Sequence, residues 1–150
     1  MLQVGDKVPD RLGENQDGKE IRLSDYENKK IILYFYPKDN TPGCTAEACS
    51  FRDDYSRFRK NGYEIIGVSA DTAASHQKFI EKQNLPFDLI VDSDKKLSEQ
   101  FGTWGEKMLY GKKYMGMFRT TFVIDESGII TRRIDAKEIN TKEHAKQILP

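Results

Sequence analysis

The segment IILYFYPKDNTPGCTAEACSFRDDY, residues 31–55, decides how this chain folds. It begins with a continuous apolar run, as expected of a β-strand that is buried on both faces of a sheet. Polar, turn-forming residues follow, and from about residue 44 to residue 60 Phe51, Tyr55 and Phe58 are spaced for one face of a helix. A strand that leads through a turn into a helix places Cys44 near the carboxyl end of that strand, where open α/β sheets bind ligands.

Strand and helix patterns alternate along the rest of the chain. The sequence predicts strands at YEIIGVSA and DLIVD, helices at TAASHQKFIEKQN and KKLSEQFG, and two final strands, TTFVID and IITRRI, around the turn ESG. The segment 103–118 has no clear period and is interpreted as irregular. This order predicts an α/β fold in which helices flank a central mixed β-sheet, in a single domain of residues 1–150.

Two local motifs add detail at the ends of the chain. Asp17 and Gly18 lie between short alternating segments and predict an N-terminal β-hairpin. Asn140 and Glu143 have the spacing of a capping box, which predicts a last helix over residues 141–149.

Charge and hydropathy narrow the class of function. The 24 basic and 24 acidic residues give a net charge of zero, which argues against a protein whose main task is to bind nucleic acid or anionic lipid. The N-terminus has no apolar stretch of signal-peptide length, and the run at residues 31–36 is far too short to span a bilayer. We therefore expect a cytoplasmic protein with neither a membrane nor a nucleic-acid partner.

The chain has two cysteines, Cys44 and Cys49. Two explanations that need no reactive thiol are a permanent disulfide and a metal site. A reducing compartment disfavours a permanent disulfide. A zinc site usually shows two ligand pairs, whereas His76 and His144 lie far apart in sequence and neither belongs to a second pair. A lone histidine on a helix face is usually solvated, and His76 is interpreted as structural. No metal is expected.

A third explanation is a buried, inert thiol. It suits Cys49, which lies inside the helical pattern, but the polar residues before Cys44 argue for access to solvent. At the start of a helix, unsatisfied backbone N–H groups and the helix dipole favour a thiolate. The dipole contributes about 0.3–1 kcal/mol, or about 2 kcal/mol in a partly buried site. On its own this is too little to make the thiolate the majority form at neutral pH. A nearby arginine is the natural further source of stabilisation.

The spacing of the two cysteines limits how they can bond. Residues i and i+5 of an ideal helix are about 140° apart around its axis, with Cα atoms roughly 8.6 Å apart. A disulfide needs Cα atoms within about 7 Å and side chains that face each other. If both cysteines are helical, they can bond only after the first turns unwind, which fits a transient, catalytic disulfide better than a permanent one.

These residues resemble a known family. PKDNTPGCTAEAC is similar to the active-site segment of the peroxiredoxins, a Pro-x3-Thr-x2-Cys pattern that Pro37, Thr41 and Cys44 match. The cysteine five residues on and the later FGTWGEKMLYGKKYMGMFRTTFVID resemble the peroxiredoxin Q subgroup, also called bacterioferritin comigratory protein. The likeness runs from VGDKVPD to the last helix, which is nearly the whole chain.

The resemblance implies a thioredoxin-like fold and a thiol peroxidase that reduces hydrogen peroxide and organic hydroperoxides without a metal, cofactor or prosthetic group. It makes Cys44 the peroxidatic cysteine, which becomes a sulfenic acid, and Cys49 the resolving cysteine of an intramolecular disulfide. Thioredoxin or a similar dithiol reductant would reopen that disulfide. The internal resolving cysteine and the subgroup resemblance predict a monomer.

The resemblance also implies roles for four residues around the sulfur. Arg119 would lie beside the thiolate, and the Thr41 hydroxyl would accept from a peroxide oxygen while donating to the sulfur. Pro37, which lacks an N–H, would shield the thiolate and stiffen the loop. Glu47 matches a recurrent position of the subgroup, CTAE, and is a candidate for substrate binding.

Two other classes of function remain open at this stage. A general thiol–disulfide oxidoreductase usually carries Cys-x-x-Cys, whereas four residues separate Cys44 from Cys49 here. Insulin reduction without peroxide consumption would favour that class. A non-catalytic binding module with the same fold would keep every activity after replacement of Cys44 by serine.

Overall fold

A computed structural model that describes all 150 residues shows nine β-strands and five α-helices. The strands are β1 (Arg11–Asn15), β2 (Glu20–Arg22), β3 (Lys30–Phe35), β4 (Tyr63–Ser69), β5 (Asp88–Val91), β6 (Trp104–Leu109), β7 (Lys112–Met117), β8 (Thr120–Ile124) and β9 (Ile130–Asp135). The helices are α1 (Pro42–Asp53), α2 (Tyr55–Lys60), α3 (Ala73–Gln83), α4 (Lys96–Gln100) and α5 (His144–Ile148). No helix has the length and apolarity needed to cross a membrane.

Seven of the strands form one mixed sheet in the order β2-β1-β5-β4-β3-β8-β9. Strands β3, β4 and β5 are parallel, and the remaining pairs in this sheet are antiparallel. The parallel strands are the near-continuous apolar runs of the sequence, as expected of strands covered on both faces. The predicted central mixed sheet is confirmed.

The core lies in two apolar clusters, one on each face of the sheet. Alternate residues of β3 point to opposite faces, so Ile32 and Tyr34 belong to one cluster while Leu33 and Phe35 belong to the other. Helices α1, α2, α3 and α5 supply the first cluster, and α4 packs on the second through Leu97. Helices therefore flank the sheet on both faces, as predicted.

The N-terminal hairpin joins β1 to β2 through the predicted turn. Gly18 has φ +76°, a value that glycine adopts without a steric cost. The Asn15 side chain accepts hydrogen bonds from the backbone N–H groups of Asp17 and Lys19, at 2.9 and 3.0 Å, which fixes the turn.

Two helix predictions need correction. The helix predicted over residues 44–60 begins earlier, at Pro42, and is broken at Asp54 (φ −105°, ψ 9°) into α1 and α2. The break is invisible in the sequence because the apolar spacing continues across it. Beyond it, the Tyr55 hydroxyl donates to Glu64 of β4 at 2.8 Å, which ties α2 to the sheet.

The last helix is shorter than the predicted residues 141–149, since α5 comprises only His144–Ile148. The predicted capping box is absent. The Asn140 side chain accepts from the backbone N–H of Lys142 in a turn that precedes the helix, and Glu143, at the N-cap, makes no capping bond. An asparagine that bonds two residues ahead favours a turn over a helix start.

The interpretation of residues 103–118 as irregular is wrong, because β6 and β7 form a separate two-stranded antiparallel ribbon. Its turn is at Tyr110 and Gly111, which both have positive φ, 51° and 78°. Most of the ribbon is exposed on both sides, so its sequence lacks the alternation that marks a half-buried strand. Trp104, the only tryptophan, lies half-buried at its base with Lys95 Nζ 5.2 Å from the ring centroid.

Candidate active site

Cys44 lies in the first turn of α1, at the carboxyl end of β3, as the sequence predicts. Pro42 is the first residue of the helix. At this position a backbone N–H has no partner within the helix, so proline loses no hydrogen bond, and its fixed φ suits the helix. Thr41 precedes it in an extended conformation (φ −85°, ψ 156°). The sequence therefore ends the loop and begins the helix within three residues of the sulfur.

The loop between β3 and α1 is fixed from below by Asp39, a buried carboxylate. Asp39 accepts hydrogen bonds from the Tyr36 hydroxyl, from Ser75 Oγ at 2.8 Å and from His76 Nδ1 at 2.7 Å. Its own backbone N–H donates to Asp71 Oδ2 at 2.8 Å. Because α3, the segment before it and the residue that follows β3 all bind Asp39, the segment that carries Pro37 and Thr41 has a defined position.

His76 is fully buried, which corrects the expectation of a solvated helix face. Its second ring nitrogen, Nε2, lies 2.9 Å from the carbonyl oxygen of Ile90 on β5. Through these two contacts His76 links the loop, α3 and the sheet, which agrees with its interpretation as a structural residue. Nothing in the residue pattern around Asp39 signals this pairing.

Cys44 itself is only 1% exposed, so the prediction of solvent access is wrong. The sulfur has the apolar cluster of α1 on one side. On the other side, Arg119 Nη2 donates a hydrogen bond to Cys44 Sγ at 3.3 Å. The turn-forming residues before Cys44 describe the local backbone correctly, but they carry no information about an arginine that arrives from a distant segment.

Arg119 also contacts an acid. Its Nη1 donates to Glu47 Oε1 at 2.7 Å, and the Glu47 side chain is fully buried while that of Arg119 is 17% exposed. Burial lowers the pKa of Arg119, but attraction to Glu47 and Cys44 and hydrogen bonds to both outweigh it and raise that pKa. One guanidinium thus bridges a sulfur and a carboxyl group.

Burial and Arg119 have opposite effects on the pKa of Glu47. Burial raises the pKa of Glu47 to about 7 even though Arg119 opposes the shift. Oε2 of Glu47 has no hydrogen-bond partner and lies 3.8 Å from His144 Nε2. Burial lowers the pKa of His144 to about 4, so at neutral pH the ring is uncharged and forms no ion pair with Glu47.

Thr41 and Pro37 both lie in the loop between β3 and α1, and the Thr41 hydroxyl is bonded within that loop. The Thr41 hydroxyl donates its proton to the carbonyl oxygen of Lys38 at 2.8 Å, so the predicted donation to Cys44 is not made in this conformation. An extended threonine ahead of a helix readily bonds back to its own loop. The lone pairs of that hydroxyl remain free to accept, and Pro37 is exposed.

Cys49 lies on the same unbroken helix as Cys44, and both thiols are free. Cys49 is half-buried, with Sγ 3.5 Å from Gln83 Oε1 of α3. The order of burial is therefore the reverse of the one expected for the two cysteines. The geometric prediction holds, since both residues are helical and the five-residue offset keeps their side chains on different sides of α1.

Comparison with known proteins places this geometry in a family. Residues 4–133 match the AhpC/TSA family. The chain belongs to this family and is a peroxiredoxin. It is 46% identical to peroxiredoxin Bcp of Bacillus subtilis, over 99% of this chain and 93% of that protein. It is 39% identical to peroxiredoxin Bcp of Escherichia coli, over 99% of this chain and 94% of that protein.

Solved structures agree with the family assignment. PrxQ of Xylella fastidiosa superposes with a TM-score of 0.89 at 33% identity, covering 99% of this peroxiredoxin and 94% of that chain. BcpB of Mycobacterium tuberculosis gives a TM-score of 0.85 at 34% identity, covering 99% and 95%. The predicted thioredoxin-like fold and peroxiredoxin Q resemblance are confirmed, and the chain is a thiol-dependent peroxidase.

The structure of this peroxiredoxin brings three of the six predicted site residues into contact, namely Cys44, Glu47 and Arg119. Thr41 and Pro37 lie in the loop between β3 and α1, and Cys49 lies further along α1 without a contact to these three residues. Sequence reasoning missed His144, which lies below Glu47. A buried histidine in a short terminal helix gives no periodic signal that distinguishes it from a solvated one.

Proposed function

We propose that this peroxiredoxin reduces hydroperoxides with Cys44 as the attacking thiolate. The observation that carries this assignment is the 3.3 Å contact between Arg119 Nη2 and Cys44 Sγ. A guanidinium is permanently charged and presents several fixed N–H donors, which stabilise both an anionic sulfur and an oxygen that gains charge. Cys49 lacks such a cation on its sulfur.

The first step is an in-line displacement. Cys44 Sγ attacks the terminal oxygen of the peroxide, the O–O bond breaks, and the departing oxygen takes up a proton to leave as an alcohol or water. The free lone pairs of the Thr41 hydroxyl accept a hydrogen bond from the peroxide O–H. Pro37 has no backbone N–H to donate, and its ring limits the motion of the loop.

The second step joins the two cysteines. The Cys49 thiol displaces water from the Cys44 sulfenic acid and forms a disulfide, which requires the first turns of α1 to unwind. A dithiol reductant of the thioredoxin type then opens the disulfide by two thiol exchanges. Because both sulfurs are in one helix, the cycle needs no second copy of the chain, which supports a monomer.

The substrate class includes organic hydroperoxides as well as hydrogen peroxide. The bacterioferritin comigratory protein of Xanthomonas campestris, 32% identical with a TM-score of 0.85, is described as having alkyl peroxide reduction activity.

We further propose that residues 1–150 act as a single domain in the cytoplasm. One sheet contributes to both core clusters, and two free thiols suit a reducing compartment.

The test is to treat the reduced protein and its serine variants with one equivalent of hydrogen peroxide and measure their masses. The wild type should lose two hydrogens as the disulfide forms. Cys44→Ser should be inert, whereas Cys49→Ser should reduce one equivalent, form a trappable sulfenic acid and fail to recycle. Unchanged mass in the wild type would remove the mechanism, and insulin reduction without peroxide consumption would favour a general oxidoreductase.

A further inference from the structure

Two acidic groups compete for one half-buried cation, Arg119, in the active site. Arg119 donates to Cys44 Sγ through one nitrogen and to Glu47 Oε1 through another, at 3.3 and 2.7 Å. Glu47 is fully buried, and its other oxygen has no hydrogen-bond partner. A thiolate and a carboxylate present together would leave one uncompensated negative charge in the interior.

Arg119 is the one cation that contacts Glu47. Lys107 of β6 interacts electrostatically with Arg119 and Cys44. Its Nζ donates to the carbonyl oxygen of Met117 at 2.6 Å, and it does not act on Glu47. Arg119 comes from the segment before β8, Cys44 from α1, His144 from α5 and Tyr34 from β3. The Tyr34 hydroxyl is also buried without a partner, and burial raises the pKa of Tyr34 well above its usual value, so it stays neutral.

Burial lowers the pKa of His144 to about 4, so the ring is neutral at pH 7, and its hydrogen bonds show which nitrogen carries the proton. Gln147 Nε2 donates to the Glu138 carbonyl at 2.8 Å, so Gln147 Oε1 is the atom that faces His144 Nδ1 at 2.7 Å. Nδ1 therefore carries the ring proton. Nε2 then accepts from the Thr121 hydroxyl at 2.8 Å, and its single lone pair is used. His144 can neither donate to Glu47 nor share its charge.

An unpaired charge in the interior costs far more than an unpaired hydroxyl group. When Cys44 is a thiolate, a neutral Glu47 leaves a balanced pair of one sulfur anion and one guanidinium. Burial, which makes an unpaired charge costly here, is also what raises the pKa of Glu47. When the sulfur loses its charge on oxidation, Arg119 becomes free to pair with a carboxylate.

We propose that Glu47 holds a proton while Cys44 is a thiolate and gives it up as the sulfur is oxidised, so that one negative charge stays beside Arg119 throughout the first step. The proposal rests on the proposed roles of Cys44 and Cys49. Glu47 acts through the charge of Arg119, and the proton that it releases offsets the proton that the departing oxygen takes up.

The step balances in atoms and charge. Cys44–S⁻, a hydroperoxide ROOH and Glu47–COOH give Cys44–SOH, ROH and Glu47–COO⁻. The S–O bond forms and the O–O bond breaks. The proton that the departing oxygen takes up to become an alcohol is balanced by the proton that Glu47 loses. Sulfur is oxidised and the peroxide is reduced, with no further reagent.

The disulfide step keeps Glu47 ionised. Glu47 lies between Cys44 and Cys49 in α1, so the unwinding that joins the two sulfurs also carries Glu47 out of its buried position. A carboxyl group in water is ionised at neutral pH. From the reduced thiolate form to the disulfide form the protein should therefore take up no proton from solution, because Glu47 provides it.

The first experiment uses infrared difference spectroscopy on the wild-type protein at neutral pH, reduced against disulfide form. The reduced protein should show the carbonyl stretch of a protonated carboxyl group together with the ultraviolet absorbance of a thiolate. Both signals should disappear on oxidation, and Glu47→Gln should lack the carboxyl signal. Absence of that signal in the reduced wild type would overturn the proposal.

The second experiment counts protons with an indicator dye in weakly buffered solution while one equivalent of hydrogen peroxide is consumed. The wild type should take up no proton per disulfide, and Glu47→Gln should take up one. Glu64→Gln removes another buried acid, on β4, and should behave as the wild type. Uptake of one proton by the wild type would contradict the proposal.

The two hypotheses fail separately. Disulfide formation is read from the loss of two hydrogens in the mass, so a normal disulfide with one proton consumed leaves the peroxidase mechanism standing and removes the role of Glu47. If no disulfide forms, the proposed function fails, while the infrared signal of the reduced protein still decides the state of Glu47. The infrared measurement on the wild type remains decisive if Glu47→Gln does not fold.

Discussion

Gly43 shows how closely the active site is built at the scale of single residues. A Cβ atom added to it would lie 3.2 Å from Arg119 Nη2, the nitrogen that donates to Cys44. Glycine at this position costs helix stability, because its backbone has more freedom to lose on folding than that of alanine. Its value is the room it leaves for the guanidinium.

We therefore expect Gly43→Ala to slow the reaction without stabilising the fold. The roughly 0.5 kcal/mol that alanine gains in the helix should be offset by the tight contact with Nη2. Displacement of Nη2 by a few tenths of an ångström should weaken the hydrogen bond to sulfur by about 1 kcal/mol, which lowers the rate with peroxide about fivefold. Denaturant unfolding and stopped-flow oxidation measure the two effects, and a variant with an unchanged rate would contradict the argument.

His144 and Glu47 should make stability depend on pH in opposite directions. The lowered pKa of His144, about 4 instead of 6.5, gives stability that is present above pH 6.5 and lost as pH falls through 4. The raised pKa of Glu47, about 7 instead of 4.5, gives stability that is present below pH 4.5 and lost as pH rises through 7.

Each variant should therefore flatten one window of the stability profile of the reduced protein. His144→Gln should remove a loss of about 3 kcal/mol between pH 6.5 and pH 4, and Glu47→Gln a loss of similar size between pH 4.5 and pH 7. Denaturant unfolding across this pH range tests both. Parallel profiles for the wild type and either variant would show that the group does not titrate as its burial requires.

At the scale of elements, α5 holds α1 in its helical form. The backbone N–H of Ala145 donates to Ser50 Oγ at 3.0 Å, and the rings of His144 and Phe51 meet edge to face at 5.2 Å between centroids. Ala145 and Ile148 belong to the same apolar cluster as Cys44 and Phe51. The terminal helix therefore rests on the segment that must unwind before Cys44 and Cys49 can bond.

Ser50→Ala should loosen this contact and speed disulfide formation. The buried N–H of Ala145 would lose its partner, at a cost of about 1 kcal/mol or more, which raises the population of the unwound segment about fivefold. The disulfide-forming phase after a peroxide pulse measures the effect. Ser56→Ala, on the exposed side of α2, is the matched control and should leave that phase unchanged.

The sequence predicts elements whose signals are local and misses those that depend on distant contacts. The buried strands and the hairpin at Gly18 follow from apolar runs and turn chemistry that the segments carry themselves. The burial of Cys44 depends on Arg119, 75 residues away in the chain, and the burial of Asp39 on His76, 37 residues away. Only the family resemblance joined Arg119 to Cys44 before the structure did.

The β6–β7 ribbon illustrates the other kind of failure. Because both of its sides face solvent over most of its length, no apolar period is imposed on its residues. Its turn uses Tyr110 and Gly111 rather than the common Asn-Gly or Asp-Gly pair. A tyrosine with positive φ is rare enough that the turn has no recognisable signature in the sequence.

On the scale of the whole molecule, exposed apolar residues are concentrated on this ribbon and the segment after it. These are Met108, Leu109, Tyr110, Tyr114, Met115 and Phe118. Tyr110 is 97% exposed at the tip. Since such a side chain contributes no burial within one chain, its replacement separates a monomer from an assembly that covers the ribbon.

Tyr110→Ser should leave the free energy of unfolding within about 0.5 kcal/mol of the wild type, as for other exposed positions. The sedimentation coefficient should be that of a monomer for both proteins. A large loss of stability, or a wild type that sediments as a dimer and a variant that does not, would show that the ribbon is an interface between copies of the chain.

Trp104 stands at the base of the same ribbon, paired across it with Met117, two residues before Arg119. Because it is the only tryptophan, the tryptophan fluorescence of the protein, excited selectively apart from its seven tyrosines, reports on one place in the molecule. Any rearrangement of the arginine segment as the sulfur is oxidised changes the surroundings of that indole. We therefore expect the tryptophan fluorescence to change during the catalytic cycle, which would let the cycle be followed optically, in real time, without a label.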